Sequence, residues 1–175
     1  MILGLDISTS ITGYTVLDYE GKILACDHID LRKEKDFFKK IQIVSSQLEA
    51  INDEYEIEQV YIEESLQSFN RAAGKSLSIL SKINGIVSWL CYNMFYGKPK
   101  YFGARSARKL CGITIPRGSK AKMVTFKFVI DNVPGFEVQY TRHGNPKAGY
   151  TDRSDSYVIA KAGWIREREE AKDTD

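Results

Sequence analysis

Acidic side chains stand at three points of this sequence where folding would hold them against their preference for water. Asp6 follows the apolar Ile2, Leu3 and Leu5, Glu63 and Glu64 follow Val60, Tyr61 and Ile62, and Asp152 and Asp155 open the stretch DRSDSYVIAKAGWIRERE. A carboxylate at the tip of a buried strand is costly unless partnered, so it is kept for a cation or for proton chemistry. The competing reading makes Asp6 a strand-end turn residue satisfied by nearby backbone N–H groups. Glu63 and Glu64, as neighbours in a strand, point to opposite faces. Asp152 and Asp155 lie one helical turn apart and share a face. If these groups converge, like charges raise one another's pKa, and divalent cations relieve the repulsion. Oxygen-only ligands suit Mg²⁺ or Mn²⁺. Two such ions about 3.5–4 Å apart can clamp the attacking and leaving oxygens of a phosphodiester.

The elements that must position these groups follow from local pattern. MILGLDISTSITGYTVLD reads as a strand to Asp6, a turn through Ser8 to Gly13, and a second strand over 14–17. Residues 23–31 give a third strand, completing an antiparallel meander. Phe37, Ile41, Val44, Leu48 and Ile51 recur at helical spacing over 36–52, with Asp36 as N-cap. Residues 59–63 form the next strand. A long helix follows over 74–96, with one apolar stripe through Leu77, Leu80, Ile83 and Val87 and a second through Ile79, Ile86 and Trp89. Two apolar faces fit either a helix buried on both sides or one that meets a partner chain. A strand over 99–102 and helices over 104–111, 120–132 (Ser119 as N-cap) and from 151 or 152 complete the order. The sum is an α/β chain with a mixed sheet and helices on both faces.

The 175 residues suit one domain over 1–165, with a charged tail over 166–175. Cys26, Cys91 and Cys111 show no zinc or redox spacing. No apolar run is long enough to cross a membrane, and the N-terminus enters a strand without signal-peptide features, so a cytoplasmic protein is expected. The net charge of +2 conceals an asymmetry: residues 98–147 hold eleven Lys and Arg against Asp131 and Glu137 alone. A basic segment in a weakly charged chain points to a polyanionic partner, or else to solvated helix faces. His143 sits in that segment without partner spacing and reads as a surface or phosphate-contacting residue.

Four motifs together carry a resemblance. MILGLDISTSITGYTVLD, VYIEESLQSFNRAAG, GSKAKMV and DRSDSYVIA occur in the order and spacing of the RuvC-type Holliday junction resolvases, and the chain is similar to divergent, phage-like members of that group over residues 1–163. The resemblance implies an RNase H-like mixed five-stranded sheet: three antiparallel strands, then parallel ones. It implies Asp6, Glu63, Asp152 and Asp155 as metal ligands and Lys122 as a catalytic lysine close to DNA. It further implies two Mg²⁺ ions (or Mn²⁺) per site, a homodimer, branched DNA as substrate, and residence in a bacterial or phage-infected cell. Glu64 replaces Glu63 as ligand if the strand register shifts by one. The family's junction-wedging aromatic aligns with Leu66, whereas the aromatic in this loop is Phe69. Phe69, Arg71, Lys75, Arg105, Arg108, Arg117, Lys120 and Arg142 are candidate DNA contacts.

Other readings remain. An actin-like ATPase or sugar-kinase fragment shares the GLDISTS opening but needs a second phosphate hairpin, which is missing. A non-catalytic nucleic-acid-binding protein would have no use for acids at all the matching positions. A relative that processes RNA would require the 2′-hydroxyl.

Overall fold

The computed structural model describes residues 1–64 and 74–173, with the side chains of 74–77 excepted. Strands β1 (Ile2–Asp6), β2 (Ile11–Leu17), β3 (Ile23–Asp30), β4 (Gln59–Glu63) and β5 (Lys100–Phe102) form one sheet in the order β3-β2-β1-β4-β5. The first three strands pair antiparallel, while β4 pairs parallel with β1 and β5 parallel with β4. This is the mixed sheet expected. Leu5 lies opposite Ile62, so the strand ends Asp6 and Glu63 stand side by side.

Period-two alternation divides the core into two layers. Leu3, Leu5, Val60 and Ile62 face helices α1 (Phe37–Glu54) and α2 (Gly74–Met94), where Val44, Leu48, Ile83 and Val87 are buried against them. Ile2, Leu17 and Tyr61 face the other way, onto α5 (Tyr150–Lys172) with α3 (Ala104–Leu110) and α4 (Ala121–Asn132) beside it. By the same alternation Asp6 and Glu63 fall on the α5 side.

Asp36 caps α1 as expected, its carboxylate accepting from the Lys39 amide at 2.9 Å. Several boundaries differ from expectation for local reasons. Strand β2 begins at Ile11, because Ser8 closes a tighter turn: its Oγ donates to the Ile11 carbonyl at 2.7 Å and accepts from the Ile11 amide at 2.9 Å. Ser119 does not cap α4. Its amide is held in the preceding turn by the Pro116 carbonyl at 3.1 Å, and Lys120 takes the cap position without a side-chain bond. Helix α5 starts at Tyr150, after Gly149.

Residues 166–172 of the charged tail continue helix α5 to Lys172. Glu167 accepts from Tyr61 Oη at 2.6 Å and from Lys100 Nζ at 2.7 Å, and the Arg166 guanidinium lies 3.9 Å from the Phe102 ring centroid. These contacts tie the last turns to β4 and β5. Among the described residues no helix is long and apolar enough to cross a membrane.

Candidate active site

Two glycines let α5 approach the sheet closely enough to bring its first turns to the strand ends. A Cβ on Gly4 would stand 2.5 Å from the Ala160 amide nitrogen, and one on Gly13 would stand 2.1 Å from the Asp152 carbonyl oxygen. Gly13 is paired with Asp6 across β1 and β2. The contact at Gly13 therefore delivers the helix start to Asp6. Two residues along β2, the Thr15 hydroxyl meets that of Ser156 at 2.9 Å, fixing the helix's rotation.

The result is a cluster of acids around one ammonium. Lys122 Nζ, from the first turn of α4, lies 3.3 Å from Asp152 Oδ1, 3.3 Å from Asp155 Oδ2 and 3.6 Å from Asp6 Oδ2. Arg108, from α3, approaches Asp155 Oδ1 at 4.0 Å. Asp155 is 3 % exposed and Asp6 8 %, and among the described residues Asp6 Oδ2 is buried without a hydrogen-bond partner. Glu63 is half-buried and acts electrostatically on Asp6. Glu64 is exposed, one residue past the strand, so strand alternation assigns Glu63 to the cluster.

Burial and mutual repulsion dominate the proton equilibria. Asp6 is raised well above the usual carboxylate range by burial, then by Glu63, with Asp155 and Asp152 adding and Lys122 opposing. Burial, reinforced by Asp155, pushes Glu63 up to about 7 against the pull of Arg108 and Lys122. Asp155 is raised by burial in spite of Lys122 and Arg108. For Lys122 burial acts downward, but Asp6, Asp155 and Asp152 outweigh it and raise its pKa.

This donor set fits a hard divalent cation. It contains only carboxylate oxygens, it carries more negative charge than Lys122 and Arg108 offset, and Asp6 Oδ2 is a buried acceptor without a donor. A ready-made metal cage is nevertheless absent: among the described residues no three of His, Cys, Asp and Glu stand as a group that could hold an ion. Lys122 Nζ stands among Asp6, Asp152 and Asp155 instead.

The expected DNA contacts are dispersed. Arg105 and Lys109 are exposed on α3 and, with Arg108, Ile113, Thr114 and Ala121, line a pocket of about 530 Å³ beside the acids. Arg117 and Lys120 are exposed in the link to α4. Arg142 is exposed in the loop before α5, its Nε donating to His143 Nε2 at 3.0 Å. Leu66, Phe69 and Arg71, and the side chain of Lys75, lie outside the described residues. Sequence reasoning placed Arg108 on DNA and missed its position against Asp155, which no local signal marks.

No protein-family model matches the sequence, and no curated protein matches it. Solved structures do. RuvC from T. thermophilus in complex with Holliday junction substrate superposes with a TM-score of 0.66 at 12 % identity, covering 96 % of this chain and 94 % of that one. The yeast mitochondrial Holliday junction resolvase Ydc2 gives a TM-score of 0.62 at 16 % identity over 98 % and 80 %. Fowlpox virus resolvase, complexed with Holliday junction DNA, gives 0.51 at 17 % identity over 95 % and 97 %. At such identities the likeness concerns architecture: the chain has the RNase H-like fold of the RuvC-type resolvases across nearly its whole length, with its buried acids gathered at the adjoining ends of β1 and β4.

Proposed function

We propose that this chain is a Mg²⁺-dependent, structure-selective DNA endonuclease that nicks four-way junctions and related branched DNA. One observation carries the reading: Asp6 Oδ2, buried and without a hydrogen bond, shares the Lys122 ammonium with Asp152 and Asp155 at the strand ends. So many buried acids at one point are costly for a protein that only binds nucleic acid. Asp6, Glu63, Asp152 and Asp155 are the groups that would hold the divalent ions. Such ions, when bound, supply positive charge that eases water attack on phosphorus and offsets charge on the leaving oxygen.

The chain's own residues do the rest. Arg108 holds Asp155 in place, and Arg105 and Lys109 offer cations beside the acids for the phosphates flanking the cut. Lys122 neutralises the acids when the protein is alone and offers an ammonium to a substrate phosphate. Junction DNA as substrate is suggested by the complexes of the T. thermophilus and fowlpox proteins. Two opposed nicks call for two copies of the chain, and the outer stripe of α2, where Trp89 and Tyr92 are exposed, is the surface offered for a homodimer.

The test uses end-labelled four-way, three-way and linear duplex DNA, with Mg²⁺ or with EDTA. Branched substrates are cut only with Mg²⁺, and Asp6→Asn lowers cutting more than about a hundredfold, the upper range for groups that merely support a metal ligand. Junction binding by that variant persists, because the basic surface is untouched. Undiminished cutting by Asp6→Asn refutes the mechanism. Binding without cutting by the unmodified chain establishes a non-catalytic binder instead.

A further inference from the structure

A second feature lies at the same end of the sheet but on its other face. The run RKEKDFFKK, residues 32–40, holds five basic residues and two phenylalanines outside the basic segment at 98–147. In the fold it forms one wall of a pocket of about 580 Å³ between the start of α1 and the first half of α2. Phe38, Ile79 and Ile83 supply apolar surface, and Lys35, Lys40 and Lys82 supply the charge. Among the described residues no acidic one lines it. The nearest acids in sequence are engaged elsewhere: Glu34 accepts from the Lys35 and Asp36 amides, and Asp36 caps α1. Among the described residues Lys35 and Lys82 make no ion pair.

Phe38 is 73 % exposed, which is unusual for a ring at a helix start. Its ring meets that of Phe37 in a T-shaped contact, with centroids 5.5 Å apart at 82°, and most of its surface stays open to solvent. An aromatic face rimmed by lysines suits a base stacked on the ring with its phosphates on the ammonium groups. Only an unpaired base can offer its own face in this way. Lys40 Nζ donates to the Thr9 carbonyl, which joins the pocket to the turn that follows β1. Thr9 is three residues from Asp6, a reach of at most about 11 Å. The Thr9 edge of the pocket therefore lies beside the strand end that carries Asp6.

We propose that Phe38 is a stacking platform for an unpaired base a few nucleotides from the scissile phosphate, with Lys35 and Lys82 gripping the adjoining backbone. The proposal rests on the nuclease reading for its substrate, and it supplies a reason why branched rather than continuous DNA is selected. A duplex has no free base to place on the ring.

Full-length protein is titrated into a four-way junction carrying 2-aminopurine at its centre, into the matching duplex, and into a single strand with the same label. Asp6→Asn serves as the background for fluorescence, and Asp6-containing protein is used for cleavage. The expected result is quenching with the junction and the single strand but not with the duplex. Phe38→Ala removes the quenching and weakens junction affinity about tenfold, the scale of one base–aromatic stack, with duplex affinity unchanged. Phe38→Trp restores both. Because Phe38 is exposed, loss of folding is not expected, and a circular dichroism melt matching the parent checks this. Junction quenching and affinity unaltered by Phe38→Ala overturn the platform while leaving the nuclease intact. A Phe38→Ala protein that changes mass in solution but binds junctions normally also overturns it, making the patch a contact between copies. Loss of single-strand quenching in Phe38→Ala, alongside a parent that cuts no junction with Mg²⁺, supports the platform and removes the nuclease.

Discussion

Lys122 and its three carboxylates form an arrangement in which one side chain does the work of a cation. Asp6, Asp152 and Asp155 each lie within 3.6 Å of its nitrogen, and all four groups depend on one another for their charge. Lys122→Ala therefore leaves the acids to repel. In EDTA the variant melts lower, by about 1 kcal/mol of stability, a modest figure because the lysine stem is open to solvent. Added Mg²⁺ raises its melting temperature more than that of the parent, since the ion no longer competes with an ammonium. Equal Mg²⁺ shifts in a thermal melt would show that Lys122 and the ion do not share ligands. Glu63 belongs to the same group of charges, whereas the neighbouring Glu64 lies beyond the strand and stays exposed.

At the scale of elements, the position of α5 decides whether a site exists. Gly4 faces the helix backbone, and a Cβ there would meet the Ala160 nitrogen at 2.5 Å and the Ser156 oxygen at 2.6 Å. Backbone cannot rotate away as a side chain can, so Gly4→Ala pushes the helix off the sheet. The expected cost is about 1–3 kcal/mol in urea unfolding, the range for overpacking, together with loss of cleavage as Asp152 and Asp155 leave Asp6. Gly85→Ala in α2 is the control: among the described residues nothing lies within 4 Å of its added carbon, and the same substitution there leaves stability equal or higher.

The far end of α5 carries a pH signature. Burial pushes Glu167 up, but the hydrogen bonds from Lys100 and Tyr61 prevail and hold it below the usual glutamate range. A carboxylate depressed in the folded state stabilises above its unfolded pKa and loses that contribution as pH falls through the folded value. Between about pH 5 and pH 3 the parent should lose more melting temperature than Glu167→Gln, while near neutrality the variant is the less stable. Parallel melting curves across that window would remove Glu167 as an anchor of the helix.

For the molecule as a whole, the basic residues of 98–147 are spread over β5 and the residues before it, α3, the link to α4, α4 and the loop before α5. Charge that looks unremarkable as a net +2 is thus concentrated in one stretch of chain, which reaches the acids through Arg108 and Lys122 while Lys100 pairs with Glu167 at the far end of α5. Binding to junction DNA should weaken linearly in log K against log salt, and Arg105→Ala should flatten that slope by about 1, one phosphate contact. Lys22→Ala, in the turn between β2 and β3, should leave it unchanged. A slope indifferent to Arg105 would move the DNA track elsewhere.

Strand and helix periodicity are local properties of the backbone, so they were readable directly. The bounds of β1 and β4, the cap at Asp36 and the apolar stripe of α2 all follow from residues within a few positions of one another. The acids were legible as strand-end and helix-start residues for the same reason. What no local pattern contains is distance between parts far apart in the chain. Only the packing of α5 through Gly4 and Gly13 brings Asp152 to Asp6, sets Lys122 among three acids and turns Arg108 toward Asp155, while the packing of α1 against α2 leaves Phe38 beside a lysine-rimmed pocket. Those relations arise from how closely one backbone can approach another, which the folded chain alone decides.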